Sequence, residues 1–290
     1  MKKFQSCTLD YYFQNSTGRF LDSRLVFFRY AAGKYLLLDK LISLIPQHEN
    51  YVEVFGGSGV ILLNKAPAPK VEVYNDIQAH LVNLFRAIKR DPVILADLVS
   101  SIPWSREIFE KIVESYNRPL CHTHITTELE PDFVEAAKTF FLMRYSFGPK
   151  TPHEATKGNF AVSTRQFRAK YALSKFPIIS KRLEDVLFEN TSFENVIRRF
   201  DGENTFQYLD PPYFEPDQHQ GGGIALNEKM HNDLFSILKS VKSKWLVTYD
   251  NSSYIYKLYS EAGFSCEVCP VTSYGARGAK KIEHLIIRNY

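Results

Sequence analysis

Residues 51–76, "YVEVFGGSGVILLNKAPAPKVEVYND", decide the fold. "YVEVF" is a short run rich in β-branched and aromatic residues, which predicts a buried strand. "GGSG" breaks it, and the apolar "VILLNKA" that follows predicts a helix. "VEVYND" (71–76) then reads as a second strand. Strand, glycine turn, helix and strand within about 30 residues make a βαβ unit, and hence an open, mainly parallel sheet.

The same rhythm extends in both directions. Upstream, "KYLLLDKLISLIP" predicts an amphipathic helix ended by Pro46. Downstream, "IQAHLVNLFRAIK" predicts the helix after the second strand. From Val186 the alternation resumes with the strand "VLFEN", the helix "SFENVIRRF", the strand "FQYLD" and the strand "KWLVTYD". A helix over 252–261 leads to "FSCEVCPVTSY" and "IEHLIIRN", close enough in sequence to form an antiparallel hairpin. Residues 88–184 differ. They carry the helical patterns "PVILADLVSSI", "SREIFEKIVESY" and "DFVEAAKTFFLMRYS", then the loop-rich "FGPKTPHEATKGNFAVSTRQFRAKY". This division predicts an α/β domain of 1–87 and 185–290, interrupted by a mostly helical insertion at 88–184.

Composition narrows the class. The chain has 290 residues, 44% of them hydrophobic, and a formal net charge of +4, which fits a globular protein with a substantial core. No stretch reaches the length of a membrane span. The N-terminal "MKKFQSCTLDYYFQN" has two lysines but no apolar region after them, so a cytoplasmic protein without a signal peptide is expected. Cys266 and Cys269 form a C-x-x-C, and Cys121 neighbours His122 and His124. No second C-x-x-C accompanies them, and a strand at 264–274 would point Cys266 and Cys269 to opposite faces, so no metal site is expected. Charge is unevenly spread. Between Lys138 and Arg182 there are ten basic residues against one acid, Glu154. Such a stretch suits a polyanion, with Lys150, Lys157, Arg165, Arg168 and Lys170 as candidate nucleic-acid contacts.

Two motifs carry chemistry. The glycine turn lacks the full G-x-G-x-x-G of a dinucleotide fold, because Leu62 stands where the third glycine belongs. Asp76 nevertheless lies 20 residues after Gly56, placed to accept hydrogen bonds from ribose hydroxyls or to cap a helix. A nucleoside without a diphosphate, as in S-adenosylmethionine, fits that pair. The second motif is "DPPY" (210–213), which ends the "FQYLD" strand and delivers a carboxylate, two rigid prolines and an aromatic ring to one place.

Together these motifs resemble the Dam-like adenine-N6 DNA methyltransferases. "FFRYAAGKYLLLDKL" is similar to that family's first motif, with Tyr30 where a tryptophan is usual and Ala32 in place of one glycine. "VEVFGGSG", "YNDI" and "DPPY" match the next three, in order. The resemblance implies a Rossmann-like methyltransferase domain with double-stranded DNA as partner and 88–184 as its target-recognition region. It implies S-adenosylmethionine held by Tyr30, Lys34, Glu53, Phe55, Gly57, Gly59, Asp76 and Asp210. It makes Asp210, Pro211, Pro212 and Tyr213 catalytic, with Tyr213 stacking on a flipped adenine. The resemblance is compatible with a companion restriction endonuclease. An RNA adenine methyltransferase would share the catalytic residues, whereas protein-glutamine enzymes usually carry Asn at the position of Asp210. A DNA-binding module without catalysis would have no need of an intact Asp210-Pro-Pro-Tyr213.

Overall fold

A computed structural model of the chain describes residues 24–28, 34–116, 129–147, 152, 155, 157–161, 166–214, 226–275 and 278–290. Seven strands form one sheet: β1 (Asn50–Glu53), β2 (Val71–Asn75), β3 (Val186–Glu189), β4 (Thr205–Leu209), β5 (Lys244–Asp250), β6 (Ser265–Gly275) and β7 (Gly278–Arg288). Their order is β3-β2-β1-β4-β5-β7-β6. The first five run parallel, and β7 lies antiparallel to both β5 and β6, so the expected C-terminal hairpin is present. Chain order reverses between β1 and β4, and in open α/β sheets ligands bind at the carboxyl ends of the strands at that point.

Side chains alternate along the strands, so the sheet feeds two cores. Tyr51, Phe206, Tyr208, Leu246 and Ile286 face one apolar layer. Val52, Leu209, Val247, Leu285 and Ile287 face the other. Cys266 packs against the second layer and Cys269 against the first, as the strand period requires. The first face is covered by α2 (Val60–Asn64), α3 (Ala79–Arg90) and helices from the 88–184 stretch. The second is covered by α9 (Phe193–Arg199), α10 (Glu228–Ser240) and α11 (Ser253–Ser260).

The helices before α2 and within 88–184 refine the sequence reading. "KYLLLDKLIS" is split into a 3₁₀ turn, Lys34–Leu37, and a short α1, Leu38–Ser43. Helix α4 (Pro92–Ser101) starts where Asp91 accepts from the Val93 and Ile94 amides, with Pro92 in the first turn. It is followed by α5 (Arg106–Tyr116) and α6 (Phe133–Tyr145). The basic stretch, read as loop-rich, contains α7 (Gln166–Ser174) and leads into α8 (Phe176–Arg182). Helix α6 is shared between two cores. Phe140 and Met143 join the layer under the sheet, while Phe141, Leu142 and Tyr145 pack with Phe109 and Val113 of α5. No helix among the described residues is long and apolar enough to cross a membrane.

Candidate active site

The glycine turn is held by the three residues that end or follow β2. The Gly56 amide donates to the Asn75 carbonyl at 2.7 Å. The Tyr74 hydroxyl donates to the Gly57 carbonyl at 2.8 Å, and the Gly57 amide donates to Asp76 Oδ2 at 2.8 Å. Gly57 and Gly59 have φ of 49° and 61°, the left-handed region that glycine occupies without strain. Gly56 is required for a different reason, because a Cβ there would stand 2.4 Å from the Tyr74 ring. The family resemblance implies Gly57 and Gly59 as cofactor residues, and Gly56 enters only as the point from which Asp76 is counted.

Asp76 is buried, and its second oxygen accepts the Gln78 amide at 2.8 Å. It therefore braces the turn into α3 as well as the glycine turn. Burial pushes its carboxyl up to about 6, against the two amide bonds. A carboxylate has about four acceptor positions, so two stay available for hydroxyl donors. Together with a glycine turn that permits close approach, this suits the ribose of a nucleoside cofactor. Glu53 ends β1, and its Oε2 accepts both the Tyr51 hydroxyl at 2.8 Å and the Leu62 amide at 2.7 Å. Burial pushes Glu53 up to about 8. Phe55 packs on Phe193, with ring centroids 5.8 Å apart.

Strands β1 and β4 are adjacent, with Glu53 in register with Tyr208, so Asp210 emerges beside the glycine turn. One oxygen of Asp210 is tied down. Lys34 Nζ lies 2.5 Å from Oδ1, and the Thr248 hydroxyl donates to the same atom at 3.0 Å. Because that hydroxyl has one proton, the Tyr208 hydroxyl 3.1 Å away donates to Thr248. No donor among the described residues reaches Oδ2. Lys34 is buried, and it also donates to the Tyr213 hydroxyl at 2.8 Å. Tyr213 in turn lies 3.4 Å from His284 Nδ1. Burial first, and then the Asp210 charge, raise the Tyr213 phenol above its ordinary value.

The 3₁₀ turn, β4, β5 and β7 thus bring Lys34, Asp210, Tyr213, Thr248 and His284 together. Thr248 and His284 had no role in the sequence reading. The available signal was a polar residue inside an apolar strand, in "WLVTYD" and "EHLIIR". Of the other expected site residues, Tyr30, Lys150 and Arg165 lie outside the described residues. Lys157 falls in a short 3₁₀ turn and Arg168 in α7, their side chains not described. Lys170 is exposed on α7.

Comparison with known proteins bears on this arrangement. A family model described as D12 class N6 adenine-specific DNA methyltransferase matches residues 30–268. The DNA N-6-adenine-methyltransferase of Escherichia phage P1 is 24% identical over 254 residues, covering 83% of this chain and 32% of that protein. The type II methyltransferase M1.LlaDCHI of Lactococcus lactis subsp. cremoris is 25% identical over 288 residues, 91% of this chain and 95% of its own. The DNA adenine methylase of Escherichia coli K12 is 24% identical over 192 residues, 64% of each chain. The chain spans about a third of the length of the phage relative and of a similar modification methylase from Streptococcus sanguinis.

Proposed function

The chain belongs to the D12 class of N6 adenine-specific DNA methyltransferases, and from that premise we propose that it methylates the exocyclic amine of adenine in double-stranded DNA. S-adenosylmethionine, when bound, supplies a sulfonium methyl group open to attack by nitrogen. Asp76 and the Gly57–Gly59 turn hold its nucleoside. The remaining chemistry falls to the protein. Adenine's amine is a poor nucleophile, because its lone pair is delocalised into the ring. Asp210 Oδ2 accepts one N–H and the Pro211 carbonyl the other, which turns the nitrogen toward a tetrahedral, nucleophilic form. Pro211 and Pro212 fix the direction of both acceptors. Tyr213 stacks against the base once it has left the duplex.

The observation that carries this reading is the asymmetry of Asp210: Oδ1 is bound by Lys34 and Thr248, while Oδ2 has no donor among the described residues. Residues 88–184 serve as the recognition region and 1–87 with 185–290 as the catalytic domain. Lys150, Lys157, Arg165, Arg168 and Lys170 meet phosphates, in keeping with the excess of basic residues there. The test is transfer of label from methyl-labelled S-adenosylmethionine to DNA, RNA and protein offered in parallel, followed by base analysis. Label in DNA as N6-methyladenine is expected. Label confined to RNA or protein, or no transfer at all, would overturn the proposal.

A further inference from the structure

Tyr213 has a second contact that the methyl-transfer reading does not use. Its hydroxyl accepts from Lys34 Nζ at 2.8 Å, so its own proton must point elsewhere. His284 Nδ1, 3.4 Å away, is the group within reach of that proton. That distance is long for a hydrogen bond, as contacts of catalytic groups often are before substrate is in place. Resting on the proposed reaction, we propose that His284 is a positioning residue: its neutral imidazole accepts the Tyr213 proton and fixes the plane of the Tyr213 ring.

The placement follows from the sheet. His284 sits on β7, in register with Asp250 of β5 and Cys269 of β6, and is 6% exposed. The groups facing it are Lys34 from the 3₁₀ turn, Asp210 and Tyr213 after β4, and the Tyr249 carbonyl and Asp250 from β5. Glu267, also on β6, is paired with Lys40 at 2.8 Å. Burial and then the Lys34 charge lower the imidazole below its ordinary value, against Asp210 and the Tyr249 carbonyl. The ring is therefore neutral at neutral pH, and the proposed contact requires the tautomer with its proton on Nε2 and Nδ1 as acceptor. A protonated ring would present a second donor to a hydroxyl that already accepts from Lys34. The Tyr213 proton would lose its acceptor, and the ring its fixed orientation.

Two sets of measurements test this. On the free protein, nitrogen NMR of labelled histidine should show His284 protonated on Nε2 at pH 7.5, with its Nδ1 signal moved in Tyr213→Phe. A Nδ1-protonated ring, or a signal indifferent to Tyr213→Phe, would overturn the contact whatever the enzyme's substrate. On methyl transfer, His284→Leu should lower kcat roughly three- to tenfold, the worth of one hydrogen bond, without changing cofactor affinity. His284→Asn keeps an acceptor near Nδ1 and should retain most of the rate. The wild-type rate should fall at acid pH more steeply than that of His284→Asn, which has nothing to titrate there. In the Tyr213→Phe background, His284→Leu should add nothing further. Equal losses in both backgrounds, or superimposed pH profiles, would reduce His284 to packing. Wild type that transfers no methyl to DNA would defeat the underlying reaction instead, and the NMR result would still decide the contact.

Discussion

Asp210 and Asp76 end strands of the same sheet edge, with β1 between them, yet they are held in opposite ways. Asp210 has a cation against one oxygen and a hydroxyl beside it, and it is partly exposed. Asp76 has two backbone amides, no ion pair among the described residues, and almost no exposure. Glu53, at the end of the strand between them, is like Asp76: its donors are a phenol and an amide. The cation fixes where Asp210 points, and the proposed reaction uses its other oxygen. The two carboxyls with no ion pair among the described residues are pushed toward neutrality by burial. One sheet edge thus carries a geometric device and two titrating ones.

The sharpest way to break that contrast is at Asp210. Asp210→Ala removes the acceptor for the adenine amine and takes the carboxylate away from the buried Lys34. Methyl transfer should fall by several orders of magnitude, measured as single-turnover rate with saturating DNA and cofactor. More than about a tenth of the wild-type rate would remove Asp210 from the reaction.

At Asp76 a smaller and pH-dependent effect is expected. Asp76→Ala should weaken S-adenosylmethionine binding by about 1.5–3 kcal/mol, the range for hydrogen bonds to a charged group. Calorimetry on the folded variant reads this directly. In wild type the affinity should also decline as pH falls through about 6, where Asp76 takes up a proton and ceases to be a full acceptor. The decline should be absent in Asp76→Ala. An unchanged dissociation constant would leave Asp76 only its bonds to Gly57 and Gln78.

How much of this was legible in the sequence depends on whether the signal was local. The βαβ unit, the C-terminal hairpin and the "DPPY" strand end are written in contiguous runs, and β1, β2 and β4 appear where those runs place them. Helices α7 and α8 were hidden, because the buried apolar residues described there, Ala172, Phe176 and Ile179, are spread among many polar positions. The glycine turn itself was legible in "GGSG", but its anchoring by three consecutive residues of "YND" was not. Nor was the pairing of Lys34 with Asp210, or the approach of Thr248 and His284. Those contacts depend on strand order, and no spacing along the chain encodes that β5 and β7 flank β4 on one side.

The finest test of the contrast is Glu53, because its glutamine variant keeps the geometry and removes only the titration. Both donors, the Tyr51 hydroxyl and the Leu62 amide, converge on Oε2, so the carbonyl of a glutamine can accept both. The amide group then occupies the place of the other oxygen. Glu53 is at about 8 in the folded protein, against 4.5 as its reference value. Its folded-state value is the raised one, so its contribution to stability is complete below about 4.5 and is lost as pH rises through about 8. Across pH 7 to 9 that loss is on the order of 1 kcal/mol, one pH unit's worth of proton release. Urea unfolding of wild type over this range should therefore decline more steeply than that of Glu53→Gln, while every other titrating group contributes equally to both. Parallel slopes would mean that Glu53 is ionised throughout the window. The distinction between Asp210 and the two carboxyls beside it would then narrow to Asp76 alone.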